Sequence, residues 1–248
     1  IIRQRTYDAQ GNLYTEIINT WQELDLGNGS KFIYLSQTDN YNYEGDESFI
    51  QTTTLYEYDN YGNVIKVSEL GDSGEGEEGD ERYTYTEYIY NESDWLICLP
   101  KTTYVKDASD ANVVKQSWFY YDGNSSPDDP PTHGLLTKQE DWLDGGDNPI
   151  TTFTYDIYGN LLTTTDALGH STTITYDSTY HIFPVITENA LGHQVRNIYY
   201  GVNDNGDDDP YAYQGSGLWG QTKLIIDPNN NASLSIYDTF GRIEKQIS

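Results

Sequence analysis

Hydrophobic and polar residues alternate with a period of two along short stretches of this chain. Thr152–Tyr155 reads Thr-Phe-Thr-Tyr, and Thr173–Tyr176 reads Thr-Ile-Thr-Tyr. Alternation of this kind, rich in β-branched and aromatic residues, is typical of a strand with one buried face. No stretch combines a 3.6-residue period with the capping residues of a helix. The pattern therefore predicts an all-β fold with almost no helix.

A short motif follows several of these strands and occurs four times in nearly complete form. It reads Tyr-Asp-x-x-Gly-Asn/Arg-apolar. Asp at the first position and Gly at the fourth are the signature of a type I turn, because the Asp side chain accepts from the backbone ahead of it and Gly adopts a positive φ. Each copy is therefore predicted to join two antiparallel strands into a hairpin. The predicted turn residues are Tyr7, Asp8, Gly11 and Asn12; Tyr58, Asp59, Gly62 and Asn63; Tyr155, Asp156, Gly159 and Asn160; and Tyr237, Asp238, Gly241 and Arg242.

Degenerate copies and a second unit extend the repeat. Tyr121–Asn124 and Tyr176–His181 follow the same order, and Tyr176 and Asp177 are counted among the turn residues. The tyrosines in equivalent slots are expected to pack in register against neighbouring hairpins. The second unit has the form Asp/Asn-Ala-Leu-Gly-His and occurs at Asp166–His170 and Asn189–His193.

Loops interrupt the first part of the chain more than the second. The acidic, glycine-rich stretch Leu70–Glu81 is predicted to be a mobile hairpin tip. Asp122–Thr132 and Asn203–Pro210 are predicted to be turn-rich excursions. Since no linker separates two domains, residues 1–248 are predicted to form a single repeat segment, interrupted over 1–150 and more regular over 151–248.

The charge balance excludes some partners. Forty Asp and Glu against 13 Lys and Arg give a formal charge of −27. Such a surface repels phosphate backbones and anionic lipids, so neither nucleic-acid nor membrane-surface binding is expected. No apolar run is long enough for a membrane span. The acidity suits either solubility or loose contact with a basic partner, and the sequence leaves both open.

Methionine is absent and cysteine nearly so. A chain without Met is expected to come from inside a longer polypeptide, and Ile1–Tyr7 has no apolar stretch that could belong to a signal peptide. Cys98 is the single cysteine, so it has no partner for an intramolecular disulfide. Because it lies between Ile97 and Leu99, it is predicted to be a small buried hydrophobe.

Metal ligation has little support in the sequence. The four histidines lack the spacings of zinc motifs, and two of them occupy the same slot after a turn Gly, which favours a structural role. They are His133, His170, His181 and His193. The best calcium candidates are Asn203, Asp204, Asp207, Asp208 and Asp209. Gly206 is not in the register of an EF-hand loop, so a solvated loop is favoured. No metal and no cofactor are predicted.

Catalytic signatures are equally sparse. No nucleophile elbow, phosphate loop or dinucleotide fingerprint occurs. Paired carboxylates carry no weight in so acidic a chain. The aromatic run Trp118–Tyr121 could stack on sugars, but a core ladder is favoured. We therefore expect no catalytic residue and no enzymatic activity.

The Tyr-Asp-x-x-Gly-Asn/Arg motifs resemble the YD repeats of RHS proteins and teneurins. Thr175–Val185, followed by Asn189–His193, is similar to the middle region of the B component of bacterial Tc insecticidal toxins and of SpvB-like proteins. This closer likeness rests mainly on residues 118–243. It implies antiparallel hairpin repeats (YD/RHS repeats) that form a segment of a large curved β-sheet shell, inside which a toxin or effector domain is enclosed.

The resemblance also implies an autoprotease built around Asp-Pro-x-x-Gly motifs at the end of the repeat region. This chain departs from that pattern, because none of its Asp-Pro pairs is followed by the required glycines. The pairs are Asp129-Pro130, Asp209-Pro210 and Asp227-Pro228. No catalytic residue is carried over from the family.

Two functions of different classes follow as hypotheses. The first is a non-catalytic wall segment of an RHS-type cocoon, with the remainder of the same shell, its enclosed effector and other toxin-complex subunits as partners. The second is an extracellular adhesive or fibre-forming repeat protein that binds glycans or neighbouring chains. Both imply a secreted or cell-surface location. A glycosidase-type enzyme is the third and weakest reading.

Overall fold

The computed structural model describes residues 1–27, 29–43, 48–72, 79–203 and 216–248. Every regular element in these ranges is a β-strand, which confirms the prediction of an all-β fold. No membrane-spanning helix is found in the described part of the chain. Its contacts divide the chain into two compact units, Ile1–Asn148 and Pro149–Ser248.

Two of the predicted loops lie partly outside the described residues. Within Leu70–Glu81 these are residues 73–78, so the predicted mobile tip is not described. Of the calcium candidates, only Asn203 is described. Its amide oxygen accepts a hydrogen bond of 2.7 Å from the backbone N–H of Tyr199, which makes it a structural group of the adjoining hairpin.

In the described part of the first unit, nine strands follow one another, and each pairs antiparallel with the next. The second and third strands are the longest, with 13 residues each, and form one long hairpin. The strands are β1 (Ile2–Tyr7), β2 (Leu13–Asp25), β3 (Lys31–Tyr43), β4 (Phe49–Tyr58), β5 (Val64–Asp72), β6 (Arg82–Asn91), β7 (Leu96–Lys106), β8 (Val113–Tyr121) and β9 (Leu136–Asp141).

The described part of the second unit contains eight shorter strands with the same sequential antiparallel pairing. Its buried apolar cluster is formed by Ile198, Leu224, Ile226 and Leu234. The strands are β10 (Ile150–Tyr155), β11 (Leu161–Thr165), β12 (Ser171–Tyr176), β13 (Pro184–Glu188), β14 (Gln194–Tyr199), β15 (Thr222–Ile226), β16 (Ala232–Tyr237) and β17 (Ile243–Ile247).

Polar side chains occupy some of the buried positions of the first unit. The Gln37 amide donates to both carboxylate oxygens of buried Asp39, at 2.8 and 2.9 Å, and the Thr53 hydroxyl donates to the same carboxylate at 2.7 Å. A buried carboxylate needs such partners, since an unpaired one is costly. The same arrangement recurs with Gln139, Asp141 and Ser117. This Gln-x-Asp pattern is absent from the sequence-based predictions.

Cys98 corrects one prediction, because its side chain is exposed. The pairing of β6 with β7 is irregular at this point: Ile89 pairs with Leu99, whereas Asn91 pairs with Leu96. The flanking apolar residues therefore do not place Cys98 on a buried face. Simple alternation fails where the ladder loses its register.

Candidate functional site

The predicted motif residues lie at hairpin corners, and the β10–β11 corner shows the arrangement. The backbone N–H of Asp156 donates to the Asn160 carbonyl at 3.0 Å, and the N–H of Gly159 donates to the Asp156 carbonyl at 3.1 Å. Gly159 has a φ of 86°. This is a type I turn followed by a left-handed residue, a common three-residue hairpin loop.

The Asp side chain holds this corner together. Oδ1 of Asp156 accepts the backbone N–H groups of Tyr158 and Asn160, both at 2.9 Å, and Oδ2 accepts the Asn160 side-chain amide at 2.8 Å. The motif therefore pairs Asp with Asn because the Asp carboxylate accepts a hydrogen bond that the Asn side-chain amide donates. The same bonds occur at the corners of Asp8 and Asp59, and at Asp238 the Arg242 guanidinium replaces the amide.

These hydrogen bonds favour the ionised aspartate. The side-chain amide of Asn12 lowers the pKa of Asp8 below its ordinary value, and the backbone N–H of Asn12 adds to this. At Asp177 burial raises the pKa, but hydrogen bonds from the backbone N–H groups of Tyr180 and Phe183 outweigh it and lower the pKa. The corner aspartates are therefore ionised groups that stabilise the turns.

Two degenerate corners are longer and rely more heavily on one carboxylate. Asp177 accepts the backbone N–H groups of Thr179, Tyr180, Ile182 and Phe183. Asp122 accepts four N–H groups from residues 132–135, at 2.7 to 3.1 Å, and so closes the excursion at Asp122–Thr132. The carboxylate keeps its role while the loop changes length.

In the second unit, corners of two kinds lie at opposite ends of the strands. The corners that follow Tyr155, Tyr176, Tyr199 and Tyr237 share one edge, since they join alternate strand pairs. Each of these hairpins has a register shift of one residue just before its tyrosine pair. The hairpins at the other edge, β11–β12, β13–β14 and β15–β16, pair without a shift. Tyrosine thus marks the edge with the bulges, which strengthen local twist.

The tyrosines at this edge connect neighbouring hairpins. Each hydroxyl donates to the backbone carbonyl of the first residue of the preceding strand: Tyr176 to Leu161 at 3.2 Å, Tyr199 to Pro184 at 3.0 Å and Tyr237 to Thr222 at 2.9 Å. In the first unit Tyr58, Tyr88 and Tyr121 also donate to a carbonyl of the preceding strand, at Leu35, Val64 and Pro100, of which only Val64 is the first residue of its strand. The tyrosine of the motif therefore forms a staple, a hydrogen bond from its hydroxyl to a backbone carbonyl that joins one hairpin to the next.

The amide at the end of the motif makes a second connection between corners. The Asn160 side chain donates to the His181 carbonyl at 2.6 Å, and Asn63 donates to the Ile97 carbonyl at 2.6 Å. Gln221 reaches the Gly241 carbonyl at 2.9 Å in the same way. Predicted turn residues of one hairpin therefore donate hydrogen bonds to the backbone of the next corner.

Tyr7 differs from the other predicted tyrosines. Its side chain is 57% exposed. Because three strands separate the β1–β2 corner from the β4–β5 corner, Asp8 lies at the opposite edge of the first unit from Asp59. The four motif copies therefore do not form a single row, although their local turn geometry is the same.

One further corner lies at Asp227–Asn231, outside the Tyr-Asp-x-x-Gly motif. Its hydrogen bonds match those of Asp156, but Asn230 occupies the glycine slot with a φ of 62°. Asn tolerates the left-handed region better than most residues. The Asp-x-x-Asn-Asn spacing was the signal that could have identified it.

The histidines are placed as parts of corners. His170 Nδ1 lies 3.0 Å from the Asp166 carboxylate of its own turn, and the carbonyl of His193 closes the Asn189 turn. The ring of His181 stacks on Tyr158 with 4.5 Å between centroids. No cluster of His, Cys, Asp or Glu suited to a metal is found among the residues that the structure describes.

Comparison with known proteins gives matches in structure and none in sequence. No family model and no curated protein matches the chain. The crystal structure of TcdB2-TccC3-Cdc42 matches 99% of this chain with a TM-score of 0.60 and 14% identity. TcdB2-TccC3 without its hypervariable C-terminal region gives the same values. The Tc holotoxin pore of Photorhabdus luminescens matches 94% of the chain with a TM-score of 0.56 and 15% identity.

The chain spans only 16% of the length of the TcdB2-TccC3 chains that it matches. At this identity the likeness concerns the fold. The resemblance to the B component of Tc toxins, drawn from Thr175–Val185 and Asn189–His193, is confirmed at that level.

Proposed function

We propose that this chain is a wall segment of a Tc-type cocoon, a β-sheet shell that encloses and carries a toxin or effector domain. The observation that carries the proposal is the match of 99% of the chain to TcdB2-TccC3 structures at a TM-score of 0.60. A match of this extent leaves almost no part of the chain for an additional domain.

The hydrogen bonds at the hairpin corners support a structural role. Each hairpin is joined to its neighbour by the backbone ladder and again, at the corner, by a tyrosine hydroxyl such as that of Tyr237. The corner carboxylates satisfy the turn backbone from within, as Asp156 does. Hairpins built in this way can be added one after another without a new core for each.

The wall is proposed to be non-catalytic. Several polar groups that could serve in catalysis are engaged within the described residues: Asp177 with four backbone N–H groups, His170 with Asp166, and Glu16 with Arg3 and Arg5.

A proposed basic cargo would be held by screened contacts with the acidic chain. Opposite charges about 4 Å apart attract by about 1 kcal/mol in water, and physiological salt limits the range to roughly 8 Å.

The partners on this proposal are the remainder of the same shell, the enclosed effector and other toxin-complex subunits. The likeness to a Tc holotoxin pore supports the last of these and a secreted location. The adhesive or fibre-forming reading is the alternative, and it differs in having no enclosed domain.

Limited proteolysis of the full-length protein tests the enclosure. The expected result is a fragment outside the repeat segment that resists a protease in the intact protein and is digested when expressed alone. Disruption of the wall with Asp177→Ala should remove the protection, whereas Asp144→Ala should not. If the fragment is digested equally fast in the intact protein and when expressed alone, enclosure is ruled out. That result would favour the fibre-forming repeat protein.

A further inference from the structure

Arg196 differs from the other cationic side chains of this acidic chain. Most of the 13 Lys and Arg side chains form ion pairs. Of the others, Lys115 and Lys245 are exposed, and the ammonium group of buried Lys223 lies 5.5 Å from the centre of the Tyr200 ring. Arg196 is half-buried, and its guanidinium has no hydrogen-bond or ion-pair partner among the residues that the structure describes.

The strand registers surround Arg196 with aliphatic residues. On β14 it pairs with Ile186 of β13 on one side and with Ile226 of β15 on the other. Ile198 lies two residues further along β14 and points to the same face, because side chains alternate along a strand. Ile198 and Ile226 belong to the buried apolar cluster of the second unit. The arginine therefore lies at the margin of an apolar core, where a charge without a partner is costly.

The ladder between β13 and β14 ends beside this arginine. Its last pair, towards the tyrosine edge, is that of Ile186 with Arg196. The neighbouring residues on β13 are Val185, which is the extra residue of the β12–β13 bulge, and Pro184, which has no N–H group to donate. Regular pairing of the two strands therefore stops at Arg196.

Side chains replace the ladder beyond this point. The Asn203 side-chain amide donates to the Asn197 carbonyl at 3.1 Å, and its oxygen accepts the N–H of Tyr199 at 2.7 Å. The carbonyl of Pro184 accepts the Asn197 side-chain amide and the Tyr199 hydroxyl, both at 3.0 Å. These hydrogen bonds fix the ends of β13 and β14 in place without closing the space between them.

A pocket of about 140 Å³ occupies this region. It is smaller than the pockets that hold drug-sized ligands, so it suits a small molecule. Asn203 is bonded through both atoms of its amide, whereas the guanidinium of Arg196 is unbonded within the described residues. The lining residues are Val185, Ile186, Arg196, Asn197, Ile198, Asn203 and Ile226. The pocket thus combines aliphatic walls with one cation that has hydrogen bonds to offer.

We propose that this pocket binds a small aliphatic carboxylate, with the carboxylate on Arg196 and the hydrocarbon group between Ile186 and Ile226. A guanidinium binds a carboxylate through two parallel N–H···O bonds. The hydrocarbon group removes the aliphatic walls from water, which an inorganic anion cannot do. The formal charge of −27 repels polyanions, but salt screens that repulsion beyond roughly 8 Å, so a single carboxylate in contact with Arg196 is held.

This chemistry has two sources, a free short-chain acid and the C-terminus of a peptide that ends in a branched aliphatic residue. Isovalerate represents the first and N-acetyl-leucine the second. Titration of the 248-residue chain with each, followed by heteronuclear NMR and calorimetry, tests the site. We expect saturable binding of at least one of them, with shifts confined to β13–β15. Neutral isovaleramide and inorganic phosphate should each bind at least about tenfold more weakly, because each lacks one of the two contacts.

Two variants separate a binding role of Arg196 from a structural one. Arg196→Met keeps a long aliphatic side chain and should weaken carboxylate binding at least about tenfold, because the charge-assisted hydrogen bonds are lost. Without ligand it should unfold at the same or a higher urea concentration, since the guanidinium has no partner within the described residues to lose. Lys115→Met removes the same charge from an exposed position of β8, so it is the matched control and should bind as the parent does.

The proposal is overturned if neither isovalerate nor N-acetyl-leucine binds saturably at millimolar concentration. It is also overturned if isovaleramide or phosphate binds as tightly as the carboxylates, or if Arg196→Met and Lys115→Met bind alike. Marked destabilisation of ligand-free Arg196→Met would assign the arginine to the fold instead. The site lies within the second unit and does not rest on the wall function. Protease protection of an enclosed domain and carboxylate binding therefore succeed or fail independently.

Discussion

The hydroxyl of Tyr237 donates a hydrogen bond to the backbone carbonyl of Thr222, 2.9 Å away. This bond joins the corner of the β16–β17 hairpin to the first residue of β15. Since Tyr199 and Tyr176 make the same bond one and two hairpins earlier, the contact belongs to the repeat. A hydroxyl-to-carbonyl hydrogen bond at successive corners holds neighbouring hairpins together in addition to the backbone ladder.

The staple predicts a graded response to substitution of Tyr237. Tyr237→Phe removes only the hydroxyl and should lower the free energy of unfolding by about 0.5–1.5 kcal/mol. Tyr237→Ala also removes the half-buried ring and should cost about 3 kcal/mol, the lower end for a truncated aromatic. Urea denaturation measures both. Tyr7→Phe is the control, because Tyr7 is 57% exposed, and it should change stability by less than about 0.5 kcal/mol. Equal effects at both tyrosines would contradict the staple.

Loss of the Asp177 carboxylate is predicted to be severe. Asp177→Ala leaves four backbone N–H groups without their acceptor and should cost at least about 3 kcal/mol. Asp177→Asn retains one acceptor oxygen and should cost less. Asp144→Ala, at an exposed acid, serves as the comparison and should be nearly neutral. Similar unfolding midpoints for Asp177→Ala and Asp144→Ala would be incompatible with the role given to this corner.

The two kinds of residue in the left-handed turn slot predict effects of opposite sign. Asn230→Gly should stabilise the chain by up to about 1 kcal/mol, because Gly adopts a φ of 62° without strain. Gly169→Ala should destabilise by about 1–2 kcal/mol, because φ is 83° there and a Cβ would meet no neighbour that could compensate. Thermal unfolding of the two variants measures both effects. A Gly169→Ala variant as stable as the parent, or an Asn230→Gly variant less stable than the parent, would contradict the strain assigned to this slot.

Acid should destabilise the fold. The corner aspartates have pKa values below their ordinary range: Asp8, Asp59, Asp122, Asp156, Asp166, Asp177, Asp227 and Asp238. With a folded pKa below the unfolded value of about 3.9, each carboxylate contributes full stability above that value and loses it as pH falls through the folded pKa. Urea midpoints should therefore drop from pH 5 to pH 3. Relief of repulsion among the other acids acts in the opposite direction, so a midpoint that rises over this interval would show that repulsion dominates.

The sequence contained enough to predict the fold class and the local corner chemistry. Asp156, Gly159 and Asn160 interact within five residues, so their hydrogen bonds depend on little beyond the turn itself. The staples depend on residues from different hairpins, such as Tyr176 and Leu161, and a pattern of alternation does not specify which hairpins are neighbours. The exposure of Cys98 was missed for a related reason: an irregular register changes the face on which a residue lies.

A groove of about 440 Å³ in the first unit was out of reach of sequence reasoning for a different reason. Glu57, Lys66, Tyr85 and Tyr104 come from four strands and meet only because of the strand registers. The sequence suggested a sugar-stacking role only for Trp118–Tyr121. In the structure Trp118 lines a pocket of about 190 Å³ together with Glu87 and Lys101, while Tyr120 and Tyr121 are buried.

A density map of the full-length protein by single-particle electron cryomicroscopy tests the wall function most directly. The account predicts that residues 1–248 form part of a closed, hollow β-sheet shell with density for another domain of the same assembly inside it. An extended rod, or a sheet packed against a solid interior with no enclosed volume, would contradict it.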